Sequence, residues 1–244
     1  MESGRTDAIG GDPLTAAAVS ISGRDDGRLT LLDCARAFAR FRSPQVLAGF
    51  LVAFLILRAA AGGLSWMDLA IAALLIAAQP FTEWLIHVGL LHTRPRRVGG
   101  RTVDLPTARA HRWHHREPTR LEAVLIPGSL IAGFLVPVLL VMWLLSWPWT
   151  LLGGDHVALW LTLMIVSVVL TGIYEWCHFL IHTPYRPKTR YYRSIWRSHR
   201  LHHFKNEHYW FGVSSDAADR VLGTSPDHRT VPKSETVKTL GVRG

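Results

Sequence analysis

The chain holds two cysteines in 244 residues, Cys34 and Cys177. That excludes a disulfide scaffold and any zinc or iron–sulfur site built on cysteine ligands. Lysine is nearly as scarce: of 27 basic residues, 23 are arginine and 4 are lysine. Together with many alanines this usage suggests a GC-rich genome, and a bacterial source is the expectation. Charged residues make up only 18% against 49% hydrophobic, too apolar for a disordered chain. No glycine fingerprint for flavin or NAD, no cysteine cluster and no haem-attachment motif is present. The chain therefore carries no visible source of electrons. The formal charge is +9, but its arginines gather in loops beside apolar runs, and no nucleic-acid partner is expected.

Residues 1–43 lack the short apolar core of a signal peptide. They read as a flexible tail ending in a basic amphipathic helix, where Leu29, Leu32 and Phe38 alternate with Arg36, Arg40 and Arg42. Four apolar runs follow: Pro44–Gly63, Trp66–Leu91, Val124–Trp147 and His156–His182. Each approaches or exceeds the ~20 residues that cross a ~30 Å hydrocarbon core. The fold class expected is an all-α integral membrane protein, a four-helix membrane domain over 44–225 with a flexible tail at 226–244. The loops between runs two and three and after run four are rich in arginine, whereas Leu64–Ser65 and Pro148–Asp155 hold no Lys or Arg. By the positive-inside rule both basic segments and both termini are cytoplasmic. Runs two and four are long enough for their last turns to emerge from the bilayer, and Pro80 is placed to bend the second inward.

The histidines are the unusual component, 13 in all, with ten in four strings. They are His87-x4-His92, His111-Arg-Trp-His114-His115, His178-x3-His182 and His199-Arg-Leu-His202-His203. PFTEWLIHVGLLH echoes GIYEWCHFLIH, and HRWHH echoes HRLHH, so the pattern is an internal duplication. Positions i, i+3 and i+4 share one helix face, so each triplet and the pair His178/His182 can address a metal. His87 and His92, at i and i+5, lie about 140° apart on a regular helix; that pair needs a frayed end or serves two ions. Neutral imidazoles suit Zn, Cu, Fe and Ni. Ten of them supply five donors to each of two ions, with a position left open. The expectation is a His-rich helical cap on the cytoplasmic side holding a dimetal centre. His156 and His228 fall outside it, and His208 is a candidate for a place just behind the ligands. Glu83 and Glu175 precede the helical histidines and are candidates to hold an imidazole N–H, or to pair with the arginine loops. Trp84 and Trp176 read as membrane-interface anchors, and Cys177 as a small buried thiol.

These strings resemble the histidine signature of the membrane fatty acid hydroxylase / sterol desaturase superfamily, over about Gln79–Thr224. The run NEHYWFGVSS…DRVLGT resembles the closing segment of the fatty acid 2-hydroxylase branch. The resemblance implies a di-iron centre, with zinc possible in overexpressed protein, ligated by His87, His92, His111, His114, His115, His178, His182, His199, His202 and His203. Two departures stand out: there is no His-Pro-Gly-Gly string of a fused cytochrome b5, and Ala217–Ala218 replace bulkier residues before Asp219.

The function expected is an O2-dependent membrane hydroxylase acting on an unactivated C–H bond of a lipid acyl chain. Electrons would come from a separate ferredoxin or cytochrome with its reductase, and the setting would be a bacterial inner membrane. A sterol or carotenoid hydroxylase, or a lipid desaturase, would use the same centre. Outside that class, a membrane zinc- or haem-binding protein would also use histidines, without consuming O2.

Overall fold

The computed structural model describes residues 29–242. The proposed tail over 1–28, and residues 243–244, lie outside them. Helix dominates: α1 (Leu31–Phe38), α2 (Arg42–Ala60), α3 (Trp66–Ile86), α4 (Pro106–Arg116), α5 (Leu121–Val124), α6 (Gly128–Ser146), α7 (His156–His182), α8 (Arg190–Phe204) and α9 (Ala217–Val221). Among the described residues the only sheet is a hairpin of β1 (Arg96–Val98) and β2 (Arg101–Val103), turning through Gly99 and Gly100.

Four helical stretches are long and apolar enough to span a bilayer: α2, α3 with its extension to Leu91, α6 with a 3₁₀ extension to Leu152, and α7. They leave large apolar side chains such as Val52, Ile56, Leu69, Leu74, Val136 and Leu140 facing outward. Only lipid covers so much contiguous apolar surface without penalty, and helices satisfy their own backbone there. The chain is an integral membrane protein. Helix α7 is the axis of the bundle and packs against α2, α3 and α6. Its core contacts include Leu161, Met164 and Val168 against Leu47, Phe54 and Ile131. The third apolar run differs from its expected start at Val124. Pro127 caps α6, and extended backbone at Leu125 separates α5 from it. The extended backbone at Leu125 is what interrupts the helix, and Pro127, at the cap, loses nothing by lacking an N–H.

Helices α2 and α6 run away from the end that carries the histidines; α3 and α7 run back to it. At the far end Ser65 and Asp68 form a capping box that starts α3. The same Asp68 carboxylate receives Arg58 at 2.8 Å and the Thr162 hydroxyl at 2.6 Å. Arg58, which interrupts the first run, is thus only 6% exposed and ties α2, α3 and α7 together. Its remaining N–H groups bond to Thr162 and to the carbonyls of Gly62 and Gly63.

At the histidine end, α1 begins with a Thr30–Asp33 capping box and lies against α7. Cys34, Ala37 and Phe41 bury against Leu125, Phe179 and Tyr185. Trp176 joins this cluster, its ring 5.3 Å from Phe38, so it packs α1 onto α7 and does not serve as a free interface anchor. The expected flexible C-terminal tail is corrected as well. Residues 225–242 lie across the cap, burying Val231, Val237 and Leu240. Three apolar side chains spaced along a polar segment show no helix or strand period, which is why the segment reads as a tail in sequence.

Candidate metal centre

All ten histidines of the four strings converge. Their ring nitrogens form two groups of five, within 4.8 Å of one another in each. The first is His87, His92, His111, His115 and His202; the second is His114, His178, His182, His199 and His203. The duplication is therefore crossed. Each half supplies its helix pair and the outer two histidines of its triplet to one group, and lends the middle histidine to the other. His156, His208 and His228 belong to neither group. His156 stacks on Trp143 at the far end of the bundle, and His228 meets Arg197.

The pair at i and i+5 resolves in a third way. From His87 to Leu91 the helix widens into a π turn, closed by the His92 N–H on the His87 carbonyl at 3.1 Å. One extra residue per turn brings positions five apart onto one face, so both rings enter the first group. Neither fraying nor a division between two ions is needed. Pro80 lies inside α3 without ending it.

Hydrogen bonds fix the tautomers. His87 Nδ1 donates to the Phe211 carbonyl at 2.6 Å, His115 Nδ1 to Val237 at 2.9 Å and His202 Nδ1 to Tyr209 at 2.8 Å. With Nδ1 protonated, each Nε2 presents a lone pair. Yet these Nε2 atoms face other ring nitrogens: His87 to His111 at 3.1 Å, and His202 to His115 at 3.2 Å. His115 and His202 both have Nδ1 protonated, so two lone pairs meet there, and they repel unless a cation lies between them. In the second group, both ring nitrogens of His114 and His178, and Nε2 of His182, are buried without a partner. Each such atom costs about 1–3 kcal/mol if left unmet. Metal–nitrogen bonds of roughly 2.0–2.1 Å place opposite donors a little over 4 Å apart. A group spanning 4.8 Å meets that after side-chain shifts of a few tenths of an ångström. The donor set fits a borderline metal ion in each group.

Burial and the neighbouring imidazoles hold the pKa values of His92, His111, His114, His199, His202 and His203 well below the usual histidine range. Burial brings His115 down to about 3. The rings in the cap are therefore neutral, the form that ligates.

The two carboxylates do something other than expected. Neither Glu83 nor Glu175 holds an imidazole or an arginine. Glu83 accepts the N–H groups of Val213 and Ser214 and the Ser214 hydroxyl. Glu175 accepts the Ser43 hydroxyl and the Ile126 N–H, the latter at 2.9 Å. Buried backbone N–H groups freed by irregular loops are stronger claimants than solvated arginines. Asp219 completes the frame, receiving Phe211 N–H at 3.0 Å, Gly212 N–H at 2.7 Å and the Thr224 hydroxyl at 2.6 Å. Gly212 is obligatory, because a Cβ there would sit 2.0 Å from the Ser215 carbonyl oxygen. The small Ala217 and Ala218 start α9 directly beside Asp219, with Ala218 fully packed. Trp84 joins the same loop, its indole N–H on Thr224 at 3.0 Å and its ring against Phe211. The closing segment is thus a backbone-anchored loop that presents carbonyls to histidines. His208 stays on the rim, its Nε2 3.4 Å from Glu207.

A cavity of about 320 Å³ lies between α2, α3, α6 and α7. His87, His111, His114 and His178 form its head, so rings of both groups meet it. Its walls are mostly apolar and extend to Leu75, Met142 and Met164. Sequence patterning offered no signal for it, since the lining comes from six helices at once, α2 to α7.

Comparison with known proteins agrees with this architecture. The chain is 26% identical over 156 residues to the dihydroceramide fatty acyl 2-hydroxylase FAH2 of Arabidopsis thaliana, a stretch covering 62% of this chain and 58% of that protein. The chain thus spans less than two thirds of that relative's length. Its fold is like that of the solved structure of full-length Scs7p, in which only the hydroxylase domain is visible. There the TM-score is 0.58 at 17% identity, over 85% of this chain and 70% of the other. The family model for fatty acid hydroxylases matches residues 72–224, and the chain belongs to the fatty acid hydroxylase family.

Proposed function

We propose that this protein is an O2-dependent dimetal hydroxylase of a lipid acyl chain, working with two iron ions ligated by the ten histidines. The observation that carries this reading is the apolar cavity whose head is built from ring nitrogens of both histidine groups. A metal pair held there would supply O2 activation and the power to oxidise an unactivated C–H bond. One oxygen atom enters the lipid and the other leaves as water, consuming two electrons and two protons. The electrons come from an external ferredoxin or cytochrome, since the chain has no second redox motif.

The protein's own part is orientation and exclusion of water. The Phe211, Tyr209 and Val237 carbonyls hold Nδ1–H of three rings, so that Nε2 stays available. The cavity walls align an acyl chain with its reacting carbon at the head. Thr107 contributes a buried hydroxyl without a protein partner at that wall, one helical turn before His111. The matched 2-hydroxylase supports attack close to the carboxyl-derived end of the acyl group. The arginine-rich segments at the histidine end support a cytoplasmic site in a bacterial inner membrane.

The test is lipid profiling of cells expressing the chain under 18O2. A hydroxy lipid carrying 18O that disappears in the His202→Ala variant is the result expected. New unsaturated lipid that carries no 18O, or an unchanged profile, overturns the reading.

A further inference from the structure

The three carbonyls that orient rings of the first group are not equivalent. Those of Tyr209 and Phe211 lie inside the segment shared with the family, 72–224. The third, of Val237, comes from beyond it and reaches His115 at 2.9 Å. The second group draws on no part of residues 225–242: His182 bonds to the backbone at Pro118, and the other rings have no backbone partner among the described residues.

Residues 225–242 are held over the cap at several points. Ser234 N–H bonds to the Lys205 carbonyl at 2.8 Å, Asn206 Nδ2 to the Pro232 carbonyl at 3.2 Å, and Arg94 Nε to the Leu240 carbonyl at 3.1 Å. Thr236, the residue before Val237, gives its hydroxyl to the buried carboxylate of Glu207. Val237 itself is buried. The bonds on either side of Val237 therefore set where its carbonyl stands, and that carbonyl sets the tautomer and tilt of His115.

We propose that the C-terminal segment is a strap that positions His115, so that the first histidine group keeps its ion only when the strap is seated, while the second keeps its ion without it. The inference rests on the dimetal reading above. Partners behind a ligating histidine are worth about 10–100-fold in metal affinity, and the strap supplies one to a single group.

The experiment follows metal release from purified full-length protein under a chelator, with ions per chain counted by mass spectrometry. Two variants loosen the strap without touching a ligand: Thr236→Ala removes the bond to Glu207, and Val237→Ala removes the buried anchor. The expected result is two kinetic phases of one ion each, with one phase accelerated at least about 10-fold in both variants and the other unchanged. Adding His182→Ala should remove the unchanged phase and leave the accelerated one. Equal rates in wild type and variants, or equal acceleration of both phases, overturns the strap. Wild-type protein that binds no metal under loading conditions instead defeats the dimetal reading itself. The alanine replacements retain the backbone, and an unchanged second phase certifies that the variants are folded.

Discussion

Glu83, in the last turn of α3, and His87, at the start of the π turn that continues it, stand one helical turn apart and are coupled through one loop. Glu83 accepts the N–H groups of Val213 and Ser214, and two residues earlier the Phe211 carbonyl accepts Nδ1–H of His87. The carboxylate therefore acts on the imidazole without touching it, by holding the loop at 213–214 next to the Phe211–Gly212 peptide, whose own N–H is held by Asp219.

Glu83→Gln should break that relay. The amide can satisfy at most part of the donor cluster and turns its own N–H₂ toward other donors, at a cost of about 1–3 kcal/mol. Metal affinity of the first group should fall by about 10–100-fold. Metal titration of the stripped variant checks this, and wild-type affinity would refute it.

His114→Ala and His115→Ala remove adjacent residues of one helix, yet they should empty different groups. His114 completes the second and His115 the first. Each variant should lose one ion per chain, and hydroxylation should fall by more than the about 10–100-fold typical of losing a partner behind a ligand. Metal counts with product analysis measure both effects. Loss of the same ion in both would contradict the crossed arrangement.

Acid should weaken the metal-free cap. Folding depresses the histidine pKa values, that of His115 from 6.5 to about 3. Between those limits the unfolded chain binds more protons than the folded one, so stability falls as pH drops through that window. It is fully present above the unfolded value. Thermal unfolding of stripped protein at pH 7.5 and 5 should show a lower Tm at pH 5. In loaded protein, protons compete with the ions in the same direction.

Met164 lies 14 residues before His178 on α7, about 21 Å along the axis, and both line the cavity. Met164→Trp should block its far end and shift products toward shorter acyl chains, with metal content unchanged. An unaltered chain-length profile would show that the acyl chain takes another path.

Much of this was visible in sequence because it is periodic. Four apolar runs mark the bundle, and the i, i+3, i+4 spacing marks imidazoles that share a face. What was hidden depends on contacts across long separations. The π turn at His87–Leu91 follows from tertiary demand on two rings, since a regular helix would separate them. Glu83 and Glu175 looked like partners for histidine or arginine, but their actual donors are backbone N–H groups at 213–214 and 126 and the hydroxyls at 214 and 43, which no local pattern reveals. The strap is a third case: its anchoring atoms are largely main chain, and main-chain acceptors leave no trace in residue identity.

The crossing of His114 and His202 also dictates an order of events during synthesis. A nascent chain that has emerged only through residue 116 has four donors of one site and a stray fifth belonging to a site not yet made. Neither group of five is complete until the second triplet has left the ribosome.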